Sequence, residues 1–425
     1  MAARVPQRLQ FVAAIALAAV GAVAQQPTGL DPPDPWPTRT AKGCGGIAAE
    51  HRSIVWTWLS LANDELRPLA AAADVQVLEL RELPAERDYD AGFFAPLAEL
   101  RELEVLRLPL QPTMGPVTLR GLGALPALRF LTLELQRPFR PDDVAALGAI
   151  GGLVGLTLVG GSTEAAAIRA LSDLPHLQTL TLERVGGCRE SALRELRALH
   201  GLRRLTLRGL GPQPAAERLG WFPADDSDGL TEGLAVALGD LPLLDSIALE
   251  TCVVSAAAIQ ALPPGLRRVG LTACPDAEAA VVRAATRFEN LEELRLGALP
   301  PNLPAISNDV AAAQAELIRG LPIRTLRYEF PMPAEVRAAL ASAIHLTDVS
   351  LEQGTSEDLT AVAQVPALAN LTLLRCHLQG RGARGLAAAK TLRYVRFREG
   401  TTSPLFVGEV LAKQMPGVQF TVERL

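Results

Sequence analysis

The stretch that decides the fold reads LEVLRL at 103–108, LRFLTL at 128–133, LVGLTL at 153–158, LQTLTL at 177–182 and LRRLTL at 202–207. Leucine takes the first, fourth and sixth places of each copy, and the copies start 24 or 25 residues apart. A repeat of two between the fourth and sixth places is the period of a strand, whose successive side chains point to opposite faces. One short strand cannot bury its leucines alone. Consecutive copies at one spacing therefore specify a solenoid in which each coil covers its apolar face with the coil before and the coil after.

The pattern extends outward in both directions. It resumes at Leu244, Ile247, Leu249; Leu266, Val269, Leu271; Leu291, Leu294, Leu296; Ile323, Leu326, Tyr328; Leu346, Val349, Leu351; Leu368, Leu371, Leu373; and Leu392, Val395, Phe397. Val75, Leu78 and Leu80 form a weaker first copy, and Phe420 and Val422 form a degenerate closing strand. These residues resemble the leucine-rich repeat family over roughly residues 75–425, as about 13 repeats. The resemblance implies a right-handed α/β horseshoe of the ribonuclease-inhibitor-like, bacterial exported type, with parallel strands on the concave face and helices on the convex face. It also implies binding to a protein or peptide, while the repeat itself names no ligand.

Between strands, Thr163–Leu174, Ser191–Leu199, Thr231–Leu238, Pro333–Ala343 and Ser356–Val365 have helical character. Ser162-Thr163-Glu164 and Ser356-Glu357-Asp358 place a hydroxyl and an acid where a helix start exposes amides and a positive dipole end. Three repeats are enlarged: Val75 to Leu103, Leu202 to Leu244 and Leu291 to Ile323. Their extra residues, near 209–229 and 297–308 in the two larger cases, follow a strand and are expected to project from the edge where strands end. The first of these contains Trp221 and Phe222.

Upstream of the repeats, Arg4 and Arg8 precede an apolar run from Phe11 to Ala24 that closes on Ala22-Val23-Ala24. This layout is that of a cleavable signal peptide over 1–24. It is too short for a comfortable bilayer span, and no later stretch is long and apolar enough for one. The mature chain is accordingly expected to be exported, to the periplasm, the cell surface or the medium, without a transmembrane segment. Residues 25–45 read as a proline-rich exposed leader. Ile47, Ile54, Val55, Trp58, Leu59 and Leu61 give 46–74 the spacing of a helical cap over the first coil.

Hydrophobic residues make up 49% of the chain and aromatic ones only 4%, which suits a narrow interior filled by leucine, valine and alanine. The net charge is -5, and loss of the signal's two arginines takes it to -7. An acidic chain is a poor partner for nucleic acid.

If the second and third leucines point inward, their neighbours face the hollow. That set includes Thr132, Thr157, Thr181 and Thr206 in consecutive repeats, and nine arginines against nine acids along the whole array. A face so balanced favours a protein or peptide partner over a polyanion. Toward the C-terminus Arg268, Arg295, Arg327, Arg396 and Arg398 alternate with Glu293, Glu329, Asp348 and Glu352. Parallel strands lie ~4.8 Å apart, so most of these charges are expected to pair across the sheet. Arginine and tyrosine nonetheless dominate binding hot spots. The candidate partner-binding residues are Arg268, Arg295, Arg327, Glu329, Tyr394 and Arg396, with Trp221 and Phe222 on the long loop.

No catalytic motif is present: neither H-E-x-x-H, nor a phosphate loop, nor G-x-S-x-G, nor paired C-x-x-C. His176, His200 and His345 recur just before a strand leucine, a spacing that relates them to the repeat. Asp225, Asp226 and Asp228 look like a calcium loop, but Ala224 and Ala235 stand where its first and twelfth ligands belong. No cofactor or metal is expected. Cys252, Cys274 and Cys376 share the slot where the family carries an inward Asn or Cys, which Gln136, Gly161, Val185 and Leu210 occupy elsewhere. Buried free thiols are expected there, since parallel side chains on adjacent coils suit a disulfide poorly. The favoured function is a non-catalytic exported scaffold binding through the concave sheet and the strand-exit edge. The alternatives are an envelope-associated spacer without a tight ligand and an enzyme with dispersed site residues.

Overall fold

Among the described residues sixteen parallel strands lie in strict chain order. The computed structural model describes residues 38–42, 53–57, 66, 69, 74–210, 230–272, 274, 279–297, 306–376, 380–398 and 407–423. Among these the strands are β1 Thr38–Lys42, β2 Ser53–Thr57, β3 Val77–Arg81, β4 Val105–Leu110, β5 Phe130–Leu135, β6 Gly155–Val159, β7 Thr179–Glu183 and β8 Arg204–Arg208. They continue as β9 Ser246–Glu250, β10 Arg268–Thr272, β11 Glu293–Gly297, β12 Thr325–Glu329, β13 Asp348–Glu352, β14 Asn370–Leu374, β15 Tyr394–Arg398 and β16 Gln419–Glu423. The thirteen copies read from sequence coincide with β3 to β15, and the degenerate closing strand is β16.

Register places like on like. Leu106 pairs with Leu131, Leu131 with Leu156 and Leu156 with Leu180, and all are buried. Their alternating neighbours Thr132, Thr157 and Thr181 lie on the other face and are only half-buried. Each coil enters the sheet through one shared carbonyl. Gln76 O accepts from both Glu104 N and Val105 N at 2.9 Å, and Ala369 O accepts from Arg393 N and Tyr394 N at 2.8 and 3.1 Å. The backbone polar groups of the coil starts are thus satisfied by the neighbouring coil, as burial requires.

Strands end in an equally regular way. The residue after the strand has a left-handed backbone at Glu82, Gly160, Arg184, Gly209, Thr251, Phe330, Gln353 and Arg375. Its N–H still bonds to the next coil, as from Arg184 N to Arg208 O at 2.7 Å and from Thr251 N to Thr272 O at 2.9 Å. The turn swings the chain from the sheet toward the helical side without breaking the ladder. A non-glycine residue there costs ~1–2 kcal/mol, which coil stacking must offset.

The return paths are short helices, such as Ala165–Ala170 and Ala334–Leu340. Helices of this length do not hold in water by themselves. They persist by burying a small and a large side chain in sequence, as in Ala167 with Ile168, Ala192 with Leu193, and Ala258 with Ile259. One core results, running the length of the array. This is a leucine-rich-repeat solenoid, open and not closed, with the sheet lining one face.

Several expectations need correction. Residues 53–57, placed by sequence inside a helical cap, are extended and pair with β3, and residues 38–42 of the expected leader pair with β2. The apolar spacing there also fits a strand, because Ile54 aligns with Leu78 in the buried row. Trp58, Leu59 and Leu61 of the expected cap lie outside the described residues, as does the signal peptide, while Leu66 and Leu69 are buried in the core. The first enlarged repeat does not project: Tyr89, Phe93 and Phe94 fold back into the core as edge-to-face pairs 4.7 and 4.8 Å apart. Gln111 Nε2 and Thr118 Oγ1 pin this segment through Leu83 O (2.7 Å) and Tyr89 O (2.5 Å). Of the extra length after Leu291, part goes into a helix of 13 residues, Asn308–Gly320, capped by Ser307. Thr163 is not a helix start; it is buried and bridges Phe139, and Glu164 takes the N-cap position instead.

Candidate functional site: the concave sheet

The inward leucines leave three outward positions per strand, and register stacks each position into a row. The central row over β5 to β10 is Thr132, Thr157, Thr181, Thr206, Ala248 and Gly270, aligned strand to strand. It carries no charge. Beside it Phe130 is buried because Gly155 lacks a side chain: a Cβ there would sit 2.5 Å from the Phe130 ring.

Charged side chains on this face pair with one another. Near the N-terminal end Arg107 bridges Glu134 and approaches Glu79 to 3.8 Å, and Glu79 also holds Arg81 at 2.7 Å. From β7 to β12 runs a line of alternating sign. Glu183 meets Arg208 at 3.2 Å, Arg208 bonds Glu250, Arg295 reaches Glu250 at 2.6 Å, and Arg295 also bonds Glu329 through Nε at 2.8 Å. Arg295 sits on β11 and Glu250 on β9, so the side chain crosses β10. It can do so because Gly270 is the β10 residue beside it, with a Cβ position only 3.5 Å from that of Arg295.

Burial alone would push the Glu250 carboxyl up, but Arg295 and Arg208 outweigh it and hold its pKa below the usual carboxylate range. Burial would likewise lower the Arg295 guanidinium, yet Glu250 and Glu329 raise it. Arg208, Glu250 and Arg295 are therefore each held in the charged form by an opposite charge beside them.

The candidate residues distribute as follows. Arg295 and Glu329 belong to the line just described; Arg327 bonds Glu293 at 2.9 Å; Arg268 lies 3.4 Å from Asp245. Tyr394 and Arg396 stand together at the far end of the face. The Arg396 guanidinium lies 5.8 Å from the Tyr394 ring centre, and the Tyr394 hydroxyl shares a 2.7 Å hydrogen bond with Thr421 Oγ1. Beside them Asn370 Nδ2 donates to Asp348 Oδ1 and Thr347 Oγ1 to Asp348 Oδ2, both at 2.6 Å. Trp221, Phe222 and the acidic run at 225–228 lie outside the described residues. Sequence reasoning did not single out Glu183, Arg208 and Glu250 as one line with Arg295. Their alternating sign was visible, and the small residues at 248 and 270 were the signal that one arginine could span two strands.

The cysteine slot behaves as a packing position. Cys252, Cys274 and Cys376 are free and buried, with sulfur atoms 3.1–3.5 Å from the carbonyl oxygens of Leu207, Leu249 and Leu351 in the preceding coil. Burial pushes each thiol up to about 12, so none is a thiolate nucleophile near neutral pH. Val185 and Leu210 fill the same slot with carbon, while Gln136 faces solvent. His176, His200 and His345 are exposed on the edge where strands begin, not packed inside. Among the described residues no group of His, Cys, Asp or Glu is arranged to hold a metal ion, and no helix is long and apolar enough to cross a membrane.

No protein-family model matches the chain, and no curated protein matches it in sequence. Among solved structures it is similar to a leucine-rich-repeat protein of Leptospira interrogans, at 15% identity and a TM-score of 0.33 over 88% of this chain and 90% of that one. An internalin of Listeria monocytogenes gives 14% and 0.32 over 79% and 83%. A chain of the Drosophila Toll–Spatzle complex gives 13% and 0.36, over 88% of this chain and 44% of the other.

Proposed function

We propose that the chain is a non-catalytic, exported binding scaffold that holds a protein or peptide partner against its concave sheet. The observation that carries this reading is the paired floor: Arg107, Arg208, Arg295 and Arg327 are each bonded to acids of the same face, over strands held in one register. A floor of that kind presents fixed hydroxyl, aliphatic and aromatic contacts with little ordering left to do on binding, which favours affinity for another folded surface. It offers no one-sided positive field to a polyanion. Export rests on the charge and apolar layout of residues 1–24.

Within this face Arg327, Tyr394 and Arg396 are assigned the anchoring contacts, because tyrosine and arginine are both enriched among hot spots and Tyr394 is half-buried with the Arg396 guanidinium over its ring. Trp221 and Phe222, on the long insertion of the sequence, are assigned a supporting contact. The test is crosslinking and mass spectrometry on the tagged mature chain in extracts of the exporting organism. Alanine at Arg327, Tyr394 and Arg396 together should reduce capture of the partner at least about tenfold, the effect of one modest hot spot. The control Val236→Arg, on the exposed side of the helix Glu232–Gly239, should leave capture unchanged. Equal capture by the triple variant refutes the site, and recovery of background proteins alone favours a spacer.

A further inference from the structure

The edge where strands begin differs chemically from the concave floor. Two hollows adjoin there. The smaller, about 220 Å³, lies between the end of the helix Asn308–Gly320 and the loop holding Ser342 and His345, with Ile323 and Ile344 in its wall. The larger, about 490 Å³, is bounded by Arg267, Asn290, Glu292 and Arg324. Pro322 lines both, so one groove crosses the return loops leading into β10, β11, β12 and β13.

The chain is acidic overall, yet this groove is lined by Arg267, Arg319 and Arg324 against Glu289 and Glu292. Arg267 is bound to Glu292. Among the described residues no ion pair engages the exposed Arg319 or Arg324, and only Glu316 of the same helix acts on Arg319 electrostatically. At the rim Ile344 is 64% exposed, more than any other large hydrophobic side chain described. An uncovered isoleucine beside the Arg319 guanidinium, with Arg324 in the adjoining hollow and neither arginine in an ion pair, asks for a ligand that is apolar at one point and anionic nearby.

We propose that this groove is a second binding surface, one that takes an extended acidic peptide segment. An aliphatic side chain of the peptide seats in the smaller hollow against Pro322 and Ile344, and its carboxylates meet Arg319 and Arg324, which can accept them in bidentate fashion. A nucleic-acid backbone is a worse fit, since it offers no aliphatic side chain to cover Ile344. This site is separate from the concave face and does not rest on the reading given above.

The probe is a fluorescein-labelled hexapeptide, Asp-Glu-Ile-Glu-Asp-Glu, titrated with the full chain at low and high salt and followed by anisotropy. Binding should weaken with salt. Reversal of both charges, Arg319→Glu with Arg324→Glu, should weaken it at least about tenfold, or roughly 1.4 kcal/mol. Ile344→Ser, or serine in place of the peptide's isoleucine, should weaken it severalfold. Both arginines are exposed, so the reversed variant should keep the wild-type melting temperature. The concave triple variant should bind the hexapeptide like wild type, which separates failure here from failure there. No binding at low salt, or binding indifferent to the charge reversal, overturns the proposal. So does equal binding by a heparin fragment that is indifferent to Ile344→Ser, which would mark a general polyanion surface.

Discussion

At Tyr328 an aromatic side chain stands where most coils carry leucine, and the substitution brings a hydroxyl into the core. That hydroxyl donates to Gln314 Oε1 at 2.8 Å, from the helix Asn308–Gly320, and both residues are buried. Burial raises the phenol's pKa, so it remains a donor across the physiological range. Tyr328→Phe leaves the amide oxygen without its donor and is expected to cost about 1–3 kcal/mol, whereas Tyr328→Phe combined with Gln314→Leu should recover most of the loss. Urea denaturation of the two single variants and the double variant checks this through the coupling term. Sequence marks Tyr328 as a departure from the repeat. Its partner is 14 residues upstream on the longest helix described, and nothing in the local pattern says which face of that helix turns inward. The cysteines were easier to read, because an inward slot recurring at fixed offset needs only the repeat to interpret it.

At the scale of the element, buried aspartates tie helix starts to the coil before. Asp358 accepts from Thr355 N at 2.8 Å and Thr355 Oγ1 at 2.9 Å, from Met332 N at 3.2 Å, and from Arg337 at 3.3 Å. Asp143 is its counterpart, gripped by both terminal nitrogens of Arg137 at 2.7 Å and bonded to Arg140 N at 2.9 Å. Met332 precedes β13, so Asp358 joins two coils through one carboxylate. Thr355→Ala is expected to cost about 1 kcal/mol, a lost cap. Asp358→Ala should cost about 3 kcal/mol, since it leaves the Met332 and Thr355 N–H groups without their acceptor and takes one of two carboxylate partners from Arg337. Thermal melts that rank the two equally would refute the assignment. Sequence placed a helix start at Ser356 and the structure places the cap one residue earlier. Either hydroxyl suits a cap locally, and the contact to Met332 in another coil decides between them. From β3 to β15 strand positions were legible for the opposite reason: a period of two, repeated in every coil, tolerates no slip, whereas β1 and β2 precede the motif and were not.

For the whole molecule, the line Glu183–Arg208–Glu250–Arg295–Glu329 spans β7 to β12, including the pair β8 and β9, whose chain connection is the longest in the array. Arg295→Met leaves Glu250 and Glu329 partly buried without their shared cation and is expected to cost about 3–5 kcal/mol. Because the Glu250 pKa is held low by Arg295 and Arg208, its pairing contributes fully above the ordinary glutamate value of about 4.3 and is lost progressively as the pH falls below that. Stability of the wild type and of Arg295→Met should thus converge under acid, and denaturant titrations at several pH values measure the convergence. That the charges would pair was legible from their alternation. That they would form one chain was not read, because Arg295 pairs two strands away, with Glu250, past Gly270, and pairing between adjacent strands does not suggest it. The strands bond only to their neighbours in the row, so traction on the two ends of the arc would load these bonds in series and not side by side. Such an object behaves as an extensible tether: it would pay out length coil after coil at modest force, and would rewind when slack returned.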